Sequence, residues 1–244
     1  MGEVGRGLSG KRSDGMPASK FTKTKLTVIA LVEVLAFIVV MAAICHLTSG
    51  RWNYWQAWVF IAILVVAVLA ILVYLIRNDP ELLARRMQYR EKETKQKKIV
   101  NISGILITIA FVLPGLDIRF GWSHVPAAVV VLAEIGILAA FALFFWTMRE
   151  NTYLSRIVEV QSEQKVITSG PYSVVRHPMY VAVILMCIAT PIALGSYWMV
   201  IPAILTIPIM TARILNEEKL LQENLVGYTE YMGKTRYRLI PGIW

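Results

Sequence analysis

Cysteine and histidine are scarce in this 244-residue chain. Cys45 and Cys187 are its two cysteines, both inside apolar runs. That excludes a disulfide framework and leaves no CxxC pair for zinc. The three histidines, His46, His124 and His177, are scattered and form no HExxH pair, so a metal site has little support. No GxGxxG occurs, which removes the glycine-rich turn that a soluble dinucleotide-binding fold requires. No internal repeat is evident either, which weakens a transporter built from repeated halves.

What the chain has in excess is apolar sequence. Hydrophobic residues make up 57% of it, against about 45–50% in soluble domains, and they are gathered into long runs. A spanning helix needs roughly 20 such residues. Six segments qualify, predicting an all-α, polytopic membrane bundle of about six transmembrane helices: Leu26–Leu47, Trp55–Ile76, Ile99–Leu116, Val125–Met148, Pro178–Leu194 and Tyr197–Leu215. The sixth contains Pro202 and Pro208; each removes a backbone donor, so a kink is expected there. Only Gly195 and Ser196 separate the fifth from the sixth, which predicts a tight hairpin. The first run lacks a small-residue cleavage site and reads as an anchor, not a signal peptide.

The net charge of +9 is explained by where the cations fall. Of the 25 lysines and arginines, 23 lie in segments that alternate crossings would place together, and only Arg51 and Arg119 lie on the other side. The positive-inside rule then puts both termini in the cytoplasm. The basic excess suits topology and anionic lipid, with no call for nucleic acid. Trp52, Tyr54, Trp55, Trp58, Trp122, Tyr197 and Trp198 read as an interfacial aromatic belt on the opposite face. Residues 1–25 read as a disordered basic tail, 26–148 as four membrane helices, and 149–244 as the region bearing the site. The charged segment Arg77–Lys98 reads as a solvated surface helix after Asp79-Pro80. Glu33 and Glu134 fall inside apolar runs, where a carboxylate is a functional candidate by default. Glu33 is close enough to its helix end to snorkel, and Glu134 is assigned a structural hydrogen bond.

Polar residues with chemical potential gather after the fourth run. Gly170-Pro171 marks a turn. Arg176-His177 precedes Pro178, a residue favoured in the first turn of a helix. His177 is therefore expected beside free N–H groups, where an anion is favoured. On the sixth helix Arg213 and Glu217 are four apart and share a face, while Glu218 points elsewhere. Gly227 reads as a C-terminal stop. Two polar clusters thus flank one short hairpin on the same side, with Tyr172 and Tyr180 beside them.

In these stretches, TSGPY, RHPMY, Arg213 with Glu217-Glu218, GYTEY and YRLIPGIW, the chain resembles the isoprenylcysteine carboxyl methyltransferase family. The resemblance covers about 149–244. It implies an integral membrane enzyme that uses S-adenosylmethionine to methylate the carboxylate of a lipidic acceptor entering from the bilayer. Carried over position by position, it implies cofactor contacts from Gln161, from Gln164, Lys165, Val166 and Ile167, from Tyr172, from His177, Pro178, Met179 and Tyr180, and from Glu217. The family's isoprenylcysteine enzymes often carry a histidine where this chain has Gln164. The resemblance further implies that Arg213 faces the acceptor and acts with Glu217 in catalysis. Such a carboxylate is already ionised at neutral pH, so the task is alignment, not base catalysis. Two other readings are compatible with the sequence: an NADPH-dependent membrane reductase of the sterol reductase type, and a small transporter or lipid-binding protein.

Overall fold

The computed structural model describes residues 23–86, 111–154, 160 and 163–244. Those residues form helices and connections, with no strand among them. The helices are α1 (Lys23–Ser49), α2 (Trp55–Asn78), α3 (Pro80–Arg86), α4 (helical at 111–120), α5 (Ala127–Glu150), α6 (Pro178–Ala193), α7 (Val200–Asn224) and α8 (Tyr228–Lys234). A 3₁₀ turn spans Gly170–Ser173. In hydrocarbon, a backbone segment must satisfy its own polar groups, so long apolar runs become helices. Among the described residues, four are long and apolar enough to cross a membrane: Thr27–Ser49, Trp55–Asn78, Ala127–Glu150 and Val200–Asn224. Helix α6, at 16 residues, is shorter. The predicted third span falls mostly outside the described residues, which resume at 111 and stay helical to 120, past the expected end at Leu116.

The bundle is organised around the α5–α6 contact, the most extensive among the described helices. A Cβ added to Gly136 of α5 would meet Ala189 of α6 at 3.9 Å; small residues let membrane helices approach closely. One apolar core joins Met41 and Cys45 of α1, Ala57, Phe60 and Ile61 of α2, Ile137 of α5, and Ala193 and Leu194. The turn between α6 and α7 has Gly195 at φ +74°, a conformation that favours glycine.

The hairpin turn is locked by a carboxylate that the sequence did not single out. Asp117 of α4 is fully buried. It accepts hydrogen bonds from Ser196 Oγ at 2.5 Å, from Ser123 N at 2.7 Å and from Ser123 Oγ. Tyr54 also differs from expectation. It belongs to the core, not the aromatic belt: it is 3% exposed and its hydroxyl donates to the Leu194 carbonyl at 2.5 Å. The six other belt residues are exposed.

Helix α3 corrects the reading of Arg77–Lys98 as a solvated surface helix for its first part, the remainder, 87–98, lying outside the described residues. Asp79 caps it, accepting from Leu82 N at 2.9 Å, and Leu82 and Leu83 are buried with Leu72, Leu75 and Met148. Glu134 gives a second correction. Both carboxylate oxygens are buried without a hydrogen-bond partner among the described residues, so none of those residues supplies the structural hydrogen bond expected of it. It lies on the α5 face that carries buried Val130 and Ile137.

Candidate functional site

The stretch leading into α6 is shaped by Gly170, whose φ is +56°. A Cβ there would sit 2.6 Å from Glu150 Cγ, closer than packing allows. Ser169 Oγ donates to Glu150 Oε2 at 2.7 Å, tying the turn to the end of α5. Gly170→Ala is therefore expected to destabilise the protein by about 1–2 kcal/mol from the left-handed backbone alone, with more from displacing Glu150. A lowered thermal midpoint would show it.

Past this turn the chain buries Arg176 and His177, 6% and 4% exposed. Their cost is offset by partners within the protein. Arg176 Nε donates to Glu218 Oε1 at 2.7 Å, and its Nη1 donates to the carbonyls of Thr235 and Arg236 at 2.9 and 2.6 Å. His177 Nε2 lies 3.2 Å from the same Glu218 oxygen. Arg238 Nε donates to Glu218 Oε2 at 2.7 Å and lies over the Trp244 ring, 5.2 Å from its centroid. Backbone bonds from Arg176 N to the Tyr237 carbonyl and from His177 N to the Arg238 carbonyl, at 2.9 and 3.0 Å, complete the clasp. Glu218 is thus the anchor that holds the C-terminal segment against α6. Buried charge is tolerated where it is paired and hydrogen-bonded this fully.

The neighbouring carboxylate does something different. Glu217 is half-buried, and its Oε2 accepts from the Tyr180 hydroxyl at 2.6 Å. That hydroxyl also accepts from Arg213 Nε at 3.1 Å. The i, i+4 pair therefore shares a face as the spacing predicts, and both members converge on one phenol from α6. His177 completes the connection, its ring meeting that of Tyr180 edge-on at 5.6 Å between centroids. The imidazole at 177 and the guanidinium at 213 accordingly belong to one constellation.

A second group of side chains walls the other flank. Tyr172, Leu225, Tyr228 and Tyr231 are buried together, with Val166, Ile167, Leu221 and Met232 packed on them. Tyr172's hydroxyl accepts from Asn151 Nδ2 at 2.9 Å, and its carbonyl accepts from the Tyr231 hydroxyl at 2.7 Å. Burial pushes the Tyr172 phenol far above its usual range and moves that of Tyr231 up to about 12, so both stay neutral at physiological pH. Of the resemblance-derived positions, Tyr172, His177, Pro178 and Tyr180 are buried here, Met179, Gln164, Val166 and Ile167 are half-buried, and Lys165 is exposed. Gln161 lies outside the described residues.

An apolar cavity of about 510 Å³ lies among α1, α2, α3 and α5. Its charged lining residues are Glu33 and Arg86; the rest include Phe37, Leu64, Val68, Phe141 and Phe144. Arg86 joins the cavity to the site. Its guanidinium lies over Phe144 at 5.2 Å, and its Nη1 sits 3.5 Å from Met179 Sδ. The sequence reading missed Arg86, Glu218's anchoring role, Arg238 and the tyrosines of α8. The signal for the last two was their place inside the GYTEY and YRLIPG stretches.

Residues 125–226 match the family model described as phospholipid methyltransferase, the family of isoprenylcysteine carboxyl methyltransferase-like membrane methyltransferases. The resemblance read from the motifs is matched over that segment, which takes in Tyr172, the Arg176–Tyr180 stretch, Arg213, Glu217 and Glu218. The match and the apolar helices together suggest an integral membrane methyltransferase. No curated protein matches the chain.

Proposed function

We propose that this protein moves a methyl group from S-adenosylmethionine to the carboxylate of a lipidic acceptor such as an isoprenylcysteine. The observation that carries the reading is the convergence of Arg213 and Glu217 on the Tyr180 hydroxyl, beside His177 at the mouth of α6.

The donor set fits the nucleotide. When bound, S-adenosylmethionine would supply an electrophilic methyl on a sulfonium. Tyr172 and Tyr180 present aromatic rings, which attract such a cation. Glu217 can accept from a hydroxyl or an ammonium group. Val166 and Ile167, with Met179, offer apolar surface, and Gln164 and Lys165 precede them directly in the chain. Arg213 has the planar donor fork that suits a carboxylate, and Glu217 holds its partner Tyr180 in place. These residues bind and align, which is the main task for an acceptor already ionised.

The cavity beyond Arg86 supports an acceptor with a long apolar tail. Apart from Glu33 and Arg86 its lining is hydrocarbon and aromatic, and Arg86 bridges from it to Met179. The proposal places the site and both termini on the cytoplasmic side, where the soluble cofactor and a bilayer-borne acceptor meet.

Thermal unfolding of the purified protein tests the nucleotide. A ligand that binds only the folded state at 100 times its Kd stabilises by about 2.7 kcal/mol. S-adenosylmethionine is expected to raise the thermal midpoint and NADPH to leave it unchanged. The reverse pattern would favour the reductase reading. Radiolabelled methyl transfer to a membrane extract then tests the acceptor; binding without transfer to any lipid would favour a non-enzymatic lipid-binding role.

A further inference from the structure

We propose that the phenol hydroxyl of Tyr228 is a direct contact of the adenosyl nucleotide, completing the pocket from the C-terminal side. This rests on the methyltransferase reading above. Tyr228 lies outside the matched segment, which ends at residue 226.

Its position is set by the backbone. Gly227 turns the chain at φ +85° and caps the start of α8, a conformation that favours glycine. Tyr228 thereby swings inward, 5% exposed, against Tyr172 and Tyr231, with Val166 and Ile167 packed on the same cluster. The stretch of chain that the resemblance assigns to the cofactor is thus its immediate neighbour.

What separates Tyr228 from the tyrosines around it is the fate of its hydroxyl. Tyr172's accepts from Asn151, Tyr231's donates to the Tyr172 carbonyl, and Tyr180's joins Arg213 to Glu217. Tyr228's is buried with no partner among the described residues. A buried, unsatisfied hydroxyl costs folding free energy and calls for an explanation. A phenylalanine would fill the same space without that cost.

The charged groups that act on the hydroxyl are Glu218, Glu217 and Arg176, with Tyr231 close by. Both oxygens of Glu218 are already engaged by Arg176, His177 and Arg238, and Glu217 Oε2 is engaged by Tyr180. The Tyr228 hydroxyl therefore sits at the meeting of the Glu217 constellation and the tyrosine wall, on the flank where a nucleotide would lie. An adenosyl nucleotide offers ribose hydroxyls, ring nitrogens and an amino-acid end. A neutral phenol can donate to or accept from each.

The test uses the full-length protein in detergent or lipid nanodiscs, with S-adenosylhomocysteine as a probe that cannot turn over. Tyr228→Phe is expected to weaken its binding, read by calorimetry, by roughly tenfold, the worth of one hydrogen bond. The thermal midpoint without ligand is expected to stay the same or rise, because the orphaned group is gone. Tyr231→Phe, which loses a bond inside the protein, is the comparator and is expected to lower that midpoint. Unchanged affinity for Tyr228→Phe, with wild-type protein binding normally, would overturn the proposal alone. A lowered ligand-free midpoint for Tyr228→Phe would overturn it too, by showing that the hydroxyl serves the fold. Absence of binding by the wild-type protein would overturn the methyltransferase reading and this proposal together.

Discussion

Glu218→Ala is expected to cost about 3–5 kcal/mol of stability, the usual penalty for removing one partner of a buried ion pair. Three cationic or ionisable side chains depend on that carboxylate. Arg176 and His177 are almost fully buried, so water cannot take over the role of Glu218. Arg176 would keep only its two carbonyl partners, Thr235 and Arg236. Arg238, 28% exposed in its side chain, would release the C-terminal segment from α7. The expected result is a much lower thermal midpoint without ligand, and greater protease sensitivity near residues 235–244. Glu217→Gln is the contrast. It touches Tyr180 at a half-buried position, so it should leave the midpoint near that of the wild type while nucleotide affinity falls. If Glu218→Ala unfolded no more readily than Glu217→Gln, the structural role assigned to Glu218 would be wrong.

The second large effect concerns the reaction itself. Arg213→Ala is expected to lower methyl transfer by about 100-fold, the scale on which misplacing a reactant acts, with S-adenosylhomocysteine affinity essentially unchanged. Arg213 reaches the site through Nε at the Tyr180 hydroxyl, and a guanidinium suits a planar acceptor. Arg213→Lys is not expected to restore the rate, since a single ammonium cannot reproduce the guanidinium fork. Single-turnover transfer separates the steps: a slower chemical step at saturating nucleotide supports the assignment. Full activity in the alanine variant would show that the acceptor is held elsewhere, with Arg86 at the cavity's end the next residue to test.

The sequence by itself determined a good deal. Runs of apolar residues long enough to span could only become helices, because hydrocarbon leaves the backbone no other way to satisfy its polar groups. Leu26–Leu47 and Trp55–Ile76 were accordingly close to α1 and α2, and Pro178 at the start of α6 followed from proline's fit to a first helical turn. The four-residue spacing of Arg213 and Glu217 placed them on one face because 3.6 residues make a turn. The motifs at 168–180 and 213–218 sufficed to suggest the family.

Which residue meets which across helices was decided only by the tertiary structure. Neighbours on a helix point about 100° apart, so the sequence showed that Glu217 and Glu218 diverge. It did not show that Glu218 turns toward Arg176, 42 residues away, while Glu217 turns toward Tyr180. That assignment depends on how α6 packs beside α7 and on a C-terminal segment folding back to offer its carbonyls. The same holds for Asp117, one residue past the predicted third span, to which the α6–α7 turn brings Ser196, and for Tyr54, which joins the core because Leu194 ends α6 within its reach. Local spacing fixes the direction of a side chain about its own helix axis; burial and pairing depend on what the rest of the chain brings to that side.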